Sequence, residues 1–388
     1  AQPCRNSKPP CASIIQARFI VGDAMPFAKV HRIAANAPDD VSGIEAAIAS
    51  GRIDAKGVIA VLGKTEGNGL VNDFSRGLAT ASLAALFRRH LPGDAAERIC
   101  LVMSGMAPHW TVFERSVGQG VDNGDGGPAM AIGRAHTFAL PFEDLGRIGQ
   151  VEQVAAGVRN AMMDAGIVDP NDVHFVQIKC PLLTAQRIAE ADGRGVSVAT
   201  RDTLKSMGLS RAASALGVAV ALGEIEAAAI RDADIGTNWD LWSGRASASA
   251  GIELLNHEIV VLGMSASWSG PLAVDHAVMA DGIDIEPVRA ALGRLGLSTP
   301  GQLSLIDRVR LIALLGKAEA SHDGRLRGYR HTMLDDSDIS STRHARAFVA
   351  GALGCLIGHA EIYVSGGAEH QGPDGGGPVA LIVDRSRA

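Results

Sequence analysis

An α/β fold of three repeated units around a pseudo-three-fold axis, with a central active site, is predicted by three patterns that each occur three times along the 388-residue chain. Apolar runs ending in lysine stand at 58–64 (VIAVLGK), 173–179 (VHFVQIK) and 311–317 (LIALLGK). Downstream of each lysine a hydroxyl–arginine pair opens an alanine-rich stretch: Ser75-Arg76, Ser210-Arg211 and Thr342-Arg343. Each copy then presents a serine before a small residue: Ser104-Gly105, Ser249-Ala250 and Ser365-Gly366. Any one of these elements recurs by chance. The same order recurring in every copy is the mark of a repeat architecture.

The elements follow in turn. Alanine and leucine at this density with an apolar stripe favour helices, and Ser75, Ser210 and Thr342 are expected as their N-caps. The runs ICLVMSG (99–105) and EIYVSG (361–366) are β-branched or apolar and read as strands. Residues 1–24 form an extension ahead of Met25. The units are then 25–128, 129–272 and 273–388, with GQGVDNGDGGP (118–128) at the first junction and SWSGPLAVDH (267–276) at the second.

Composition narrows the function. Hydrophobic residues at 47% and charged residues at 20% describe a packed globular protein. A net charge of −6 gives no basic face for nucleic acid. The 46 glycines and 4% aromatics suit tight turns and backbone lying close to a ligand. Cys4, Cys11, Cys100, Cys180 and Cys355 are scattered, as expected of reduced thiols in a cytoplasmic protein. No apolar run reaches membrane-spanning length, and residues 1–24 lack the apolar core of a signal peptide. Twelve histidines form no HExxH or paired Cys/His spacing, so His174, His257 and His370 read as core or surface residues. GQGVDNGDGG and GPDGGGP lack the Lys-Ser/Thr of a phosphate loop, which excludes a nucleotide enzyme.

Three units closing around an axis would bring matching lysines, arginines and serines to one pocket. Arginine forks suit ring carbonyls and oxyanions, so the fitting ligand is small, flat and rich in carbonyls. A lysine beside a serine is also a known nucleophile–base pair. The base must be neutral, and burial among arginines depresses a lysine pKa. Backbone N–H groups at the Ser-Gly and Ser-Ala turns are placed to stabilise an oxyanion.

GKTEGNGLVNDFSR (63–76), VHFVQIKCPLLT (173–184), SMGLSRAASALG (206–217), SASAGIE (247–253), RHTMLDDSDI (330–339), STRHARA (341–347) and YVSGGAEHQGPDGGGP (363–378) resemble the cyanuric acid hydrolase and barbiturase family from about Met25 to near the C-terminus. The resemblance implies a three-unit fold, hydrolytic opening of a cyclic imide, and a homotetramer. It assigns Lys179 as base and Ser249 as nucleophile. Ser247 stands two residues away, and SAGIE aligned on SGGAE around Ser365 selects Ser249. Arg76, Arg211 and Arg346 match the substrate-holding arginines. Arg343 competes with Arg346, favoured by the hydroxyl–arginine repeat where the family's spacing to SGGAE favours Arg346.

Ser104, Gly105, Ser249, Ala250, Ser365 and Gly366 match ring-contacting segments, and Lys64 and Lys317 match the lysines of the other pairs. No organic cofactor is implied. A structural cation is, held by Glu319 with Ala368, Gln371, Gly372, Pro373 and Gly376; a carboxylate with backbone oxygens suits Mg²⁺ or Ca²⁺. The chain departs from the family at SGMAPHWTVF (104–113), several residues shorter than the usual SGGTEG stretch. The expected reaction opens cyanuric acid to 1-carboxybiuret, which loses CO₂ to give biuret. The alternatives are barbituric acid opened to ureidomalonate, and a silent cyclic-imide binder.

Overall fold

The computed structural model describes residues 24–65, 67–105, 108–118, 127–297, 299–336 and 338–387. The expected extension up to residue 23, the centre of the first junction and residues 106–107 of the shortened segment lie outside the described residues. In chain order the elements are β1 (Met25–Ala34), α1 (Ser42–Ala49), β2 (Val58–Thr65), α2 (Phe74–His90), β3 (Cys100–Gly105) and β4 (His109–Gly118). Next come β5 (Ala129–His136), α3 (Ile148–Ala165), β6 (Val173–Cys180), α4 (Ala185–Gly193), α5 (Thr203–Ala221), β7 (Ala246–Ala250) and β8 (Glu258–Ser265). The last stretch holds β9 (Leu272–Met279), α6 (Glu286–Arg294), α7 (Leu305–Arg310), β10 (Leu311–Ala318), the short hairpin β11 (Arg325–Leu326) and β12 (Tyr329–Arg330), α8 (Ser341–Ile357), β13 (Tyr363–Gly366) and β14 (Gly377–Asp384).

Three four-stranded sheets result, ordered β1-β4-β2-β3, β5-β8-β6-β7 and β9-β14-β10-β13. Each orders its strands first, fourth, second, third, and each has one parallel pair: β2/β3, β6/β7 and β10/β13. Parallel neighbours need a crossover, and α2, α5 and α8 lie in those crossovers.

The lysine-terminated runs are apolar at nearly every position because both faces of their strands are covered. All eight residues of β2 are buried. Alternation, reset by a register shift between Val58 and Ala60, divides them between two cores. Ala60 and Leu62 join a central core that also takes Ala313 and Leu315 of β10. Val58 and Val61 pack instead with Leu83, Leu86 and Phe87 of α2, as Leu311 and Leu314 do with Val349 and Leu353 of α8. Lys64 and Lys317 continue the central phase. Strand alternation therefore drives two lysines into the middle of the protein.

The expected N-caps are corrected. Asp73 caps α2, its Oδ1 accepting from Ser75 N (3.1 Å) and Arg76 N (3.3 Å). Asp202 caps α5 by accepting from Lys205 N (3.0 Å), and Ser340 precedes α8. Aspartate serves as well as serine at an N-cap, so the helices start upstream of the hydroxyl–arginine pairs. Ser210 lies inside α5, where its hydroxyl is occupied by Gln150 Nε2 at 2.9 Å.

Candidate active site

Strand register places each lysine opposite a serine. Lys64 is level with Ser104, Lys179 with Ser249 and Lys317 with Ser365. The serines meet: Ser104 Oγ donates to Ser365 Oγ at 3.0 Å, and Ser249 Oγ shares a hydrogen bond with the same oxygen at 3.0 Å. Each lysine reaches across to a neighbouring sheet. Lys64 Nζ donates to Val364 O (2.6 Å), Lys179 Nζ to Met103 O (3.0 Å) and Lys317 Nζ to Ala248 O (2.8 Å). Every acceptor immediately precedes a cluster serine. The donations run from the first sheet to the third, the third to the second and the second to the first, and so close a ring.

Lys317 Nζ also donates to Ser365 Oγ at 3.3 Å and to Gly366 O at 3.2 Å. Lys179 Nζ instead lies 2.6 Å from the Glu253 carboxylate, while Lys64 Nζ stands over the Tyr363 ring, 3.8 Å from its centre. Ser247 is fully buried and donates to Gln177 Oε1 at 2.8 Å, one pleat below the cluster. Of the two serines, Ser249 is the one that faces the other units.

The lysines are 0–1% exposed, and a buried ammonium is costly unless paired. Burial, then Arg346, Lys317 and Arg76, drive Lys64 well below the usual lysine range. Burial, then Arg211, pull Lys317 down to about 7. Burial lowers Lys179 too; Glu253 opposes that fall and Arg76 adds to it. Glu253 is itself held below the usual carboxylate range by Lys179 and Arg76, against its burial. The cluster thus sets three lysines, each lowered by burial, next to hydroxyls.

The site opens into a cavity of about 660 Å³ lined by Ser104, Ser249, Ser365, Arg76, Arg211 and Arg346. Arg76 Nη1 donates to Ala250 O at 3.0 Å. Arg211 grips Glu369 with both Nε (2.7 Å) and Nη2 (2.5 Å). Gly69 (φ +80°) and Gly367 (φ +75°) lie where a Cβ would collide with the Arg76 and Arg211 guanidiniums respectively, so close approach and backbone conformation both call for glycine. Arg346 packs its stem over Gly366, and burial, then Arg76 and Arg343, pull it down to about 10. Arg343 also lines the cavity, but from an exposed position at the start of α8. The hydroxyl–arginine repeat thus points one helical turn short of the more buried arginine.

Glu319 is half-buried next to Glu369, and its carboxylate accepts from Ala368 N (2.7 Å) and Ala320 N (3.2 Å). Burial and Glu369 push it up to about 7. Gln371 links the same loop to β7, its Oε1 accepting from Ala248 N at 2.6 Å. Sequence reasoning assigned no role to Glu253, Glu369 or Tyr363. A signal for the first two was present: each glutamate stands four residues after a cluster serine, in SAGIE and SGGAE. Pro108 holds that place in the first unit.

Residues 29–384 match the family described as amidohydrolase ring-opening proteins. The chain is 63% identical over 367 residues to the cyanuric acid amidohydrolase of Azorhizobium caulinodans, covering 93% of this chain and 99% of that one. It is 60% identical over 365 residues to the enzyme of that name from a Bradyrhizobium species, covering 92% and 98%. The crystal structure of the A. caulinodans cyanuric acid hydrolase superposes with a TM-score of 0.86 at 62% identity, over 93% of this chain and all of that one. A second cyanuric acid hydrolase structure, described as an innovation by structural concatenation, superposes at 0.87 with 45% identity and the same coverage.

Proposed function

The chain belongs to the ring-opening amidohydrolases, the family of the cyanuric acid hydrolases, and is a hydrolase; from that premise we propose that it opens cyanuric acid with a serine–lysine pair at the centre of three units, 25–128, 129–272 and 273–388, set around a pseudo-three-fold axis. The observation that carries this reading is the closed ring of lysine-to-carbonyl hydrogen bonds around three serines joined through Ser365. A three-carbonyl ring fits a site that repeats the same donors three times.

In this reading Ser249 Oγ loses its proton to neutral Lys179 and attacks a ring carbonyl. The oxyanion is held by backbone N–H groups at the Ser-small ends of β3, β7 and β13, while Arg76, Arg211 and Arg346 hold the remaining carbonyls. The C–N bond breaks as the lysine returns the proton to the leaving ring nitrogen. Water, deprotonated by the same amine, releases the acyl group as 1-carboxybiuret, a carbamic acid that sheds CO₂ to leave biuret. Glu253 beside Lys179 supports the choice of unit, because it orients the amine and balances its charge after each transfer. The direct Lys317–Ser365 hydrogen bond favours a second reading, with the chemistry in the third unit.

Glu319 and the backbone oxygens of Ala368, Gln371, Gly372, Pro373 and Gly376 would hold Mg²⁺ or Ca²⁺. A half-buried carboxylate beside a second one suits a hard cation, which when bound would fix the loop that carries Gln371. The assembly proposed is a homotetramer. The test is turnover of cyanuric and barbituric acids side by side by the purified chain. Biuret and CO₂ appearing from cyanuric acid is the expected result. Faster opening of barbituric acid makes the chain a barbiturase, and binding without turnover makes it a silent binder.

A further inference from the structure

A second cluster of ligand-type side chains lies away from the cavity, where the second and third sheets meet. His174 is the second residue of β6, five residues before Lys179, and it faces Asp275 and His276 on β9, the edge strand of the third sheet. His174 Nδ1 stands 3.0 Å from His276 Nδ1 and 3.4 Å from Asp275 Oδ1, and all three ligand atoms lie within 4.8 Å of one another. The two imidazole rings cross at 70° with centres 5.1 Å apart. Among the described residues this is the one group of three or more histidine, cysteine or carboxylate side chains so arranged.

The spacing can be judged against coordination geometry. With metal–ligand bonds of about 2.0–2.1 Å, neighbouring ligand atoms of a tetrahedral site stand about 3.3 Å apart. The 3.0 and 3.4 Å separations bracket that value. Two imidazoles and one carboxylate suit a borderline cation rather than a hard one. The His174 and Asp275 side chains are 19% and 14% exposed, which provides an entry path.

Arg294 is the competing feature. Its Nε donates to Asp275 Oδ2 at 2.6 Å, while Oδ1, which also accepts from His276 N at 2.7 Å, is the oxygen turned to the rings. The guanidinium takes the outer oxygen and fixes the inner one in place. Its charge weakens the hold on a dication, as does that of Arg245, which also bears on His276. Affinity should therefore fall below that of a closed four-ligand structural site.

We propose that His174, Asp275 and His276 form a three-ligand site for a borderline dication such as Zn²⁺, with water in the fourth position, clamping the edge strand β9 to β6. The ion takes no part in the ring chemistry. Its effect is to tie the third sheet to the strand that carries Lys179.

The experiment uses the full chain, depleted of transition metals and saturated with Mg²⁺ so that any hard-oxygen site is filled. Zn²⁺ is titrated by calorimetry against the native chain and against His174→Gln and His276→Gln, with melting curves recorded alongside. The expected result is one Zn²⁺ equivalent and a raised Tm in the native chain, with both lost in each variant. Unchanged stoichiometry in the variants, or no binding by the native chain, overturns the site. Should the variants misfold, Co²⁺ added to the native chain decides: an intense visible band marks tetrahedral coordination, and bound Co²⁺ without one overturns the proposal. Cyanuric acid turnover is read in parallel, so loss of the proposed reaction and loss of the metal site remain separate results.

Discussion

The second and third units carry the same lysine and serine at the same strand register, yet the two amines have different company. Lys317 Nζ touches only carbonyl and hydroxyl oxygens: Ala248 O, Ser365 Oγ and Gly366 O. Lys179 Nζ touches a carbonyl and a carboxylate, Met103 O and Glu253. The glutamate that would be Glu253's counterpart in the third unit, Glu369, is taken by Arg211. Repetition therefore supplies three nucleophile–base frames, and the residue four positions after each serine makes them unequal. A lysine with a carboxylate has a partner for its charge whenever it is protonated during the cycle. Lys317 bonds only to dipoles and feels the Glu369 and Glu319 carboxylates from further off, and is better suited to hold a substrate oxygen or an architecture.

The strongest way to break that comparison is to remove each nucleophile and base in turn. Ser249→Ala and Lys179→Ala should lower kcat by about 10³-fold or more while leaving a folded chain that still binds the ring, as for other nucleophile–base units. Ser365→Ala should weaken binding and turnover together by a smaller factor, having lost a carbonyl-holding group. A dead Ser365→Ala beside a nearly normal Ser249→Ala would transfer the chemistry to the third unit, where the direct lysine–serine hydrogen bond is found.

Glu253→Gln sharpens the comparison by erasing its cause. Glu253 raises the Lys179 pKa against burial, so the amide should let that pKa fall further. More of the amine is then neutral at low pH, and the acidic limb of kcat/KM should move to lower pH. At the plateau, kcat should drop by about tenfold or more because the protonated amine loses its counter-charge. A pH profile superposable on that of the native chain would leave Glu253 a structural residue only.

How much of this was legible in the sequence depends on what kind of information each feature uses. The three like-ordered sheets were legible because apolar runs, lysines and Ser-small pairs are local patterns, and strand alternation turns them directly into a shared register. Lys64, Lys179 and Lys317 stood out because each ends a largely apolar strand whose alternation carries the charge inward. The N-caps at Ser75, Ser210 and Thr342 were misplaced, since Asp73 and Asp202 outcompete them and a serine with a buried partner is tolerated within a helix. Glu253 and Glu369 were quoted within motifs but given no role, because which cation each meets depends on how separate sheets pack. The pairing of His174 with Asp275 and His276 was illegible for the same reason: a hundred residues and a sheet boundary separate them.

Lys317→Met tests the other half of the comparison through stability. The folded chain holds Lys317 at about 7 against 10.5 for a free lysine. Below pH 10.5 the unfolded chain binds a proton that the folded chain resists, so its destabilising effect grows as pH falls from 10.5 to about 7 and is then constant. Its contribution to stability consequently rises with pH across that window. An apolar side chain of similar length removes the effect and should stabilise the chain at neutral pH by about 1–4 kcal/mol, with the advantage shrinking towards pH 10. Calorimetric melting of both proteins at several pH values checks this. A destabilised Lys317→Met at pH 7 would mean that its three hydrogen bonds outweigh the burial of its charge.

The smallest effect concerns the arginines of α8, where sequence pattern and structure disagree. The hydroxyl–arginine repeat selects Arg343, and spacing to SGGAE selects Arg346. Both line the cavity, but Arg343 is exposed at the beginning of the helix, where water and salt screen its charge. Arg346 lies one turn further in, packed over Gly366 and lowered to about 10 by burial, with Arg76 adding to the shift. A guanidinium that is already desolvated loses little more on meeting a ring carbonyl, and its planar fork is fixed in advance. Arg346→Ala should therefore raise KM and lower kcat together, with kcat/KM falling by about tenfold or more, the scale of a hydrogen bond from a charged group. Arg343→Ala should change kcat/KM by less than about threefold, as expected of a screened surface charge. That change should appear mainly in KM and shrink as salt is added. If Arg343→Ala proved the more damaging at high salt, the hydroxyl–arginine repeat would be the better guide to the third arginine, and α8 would present a different face to the ring.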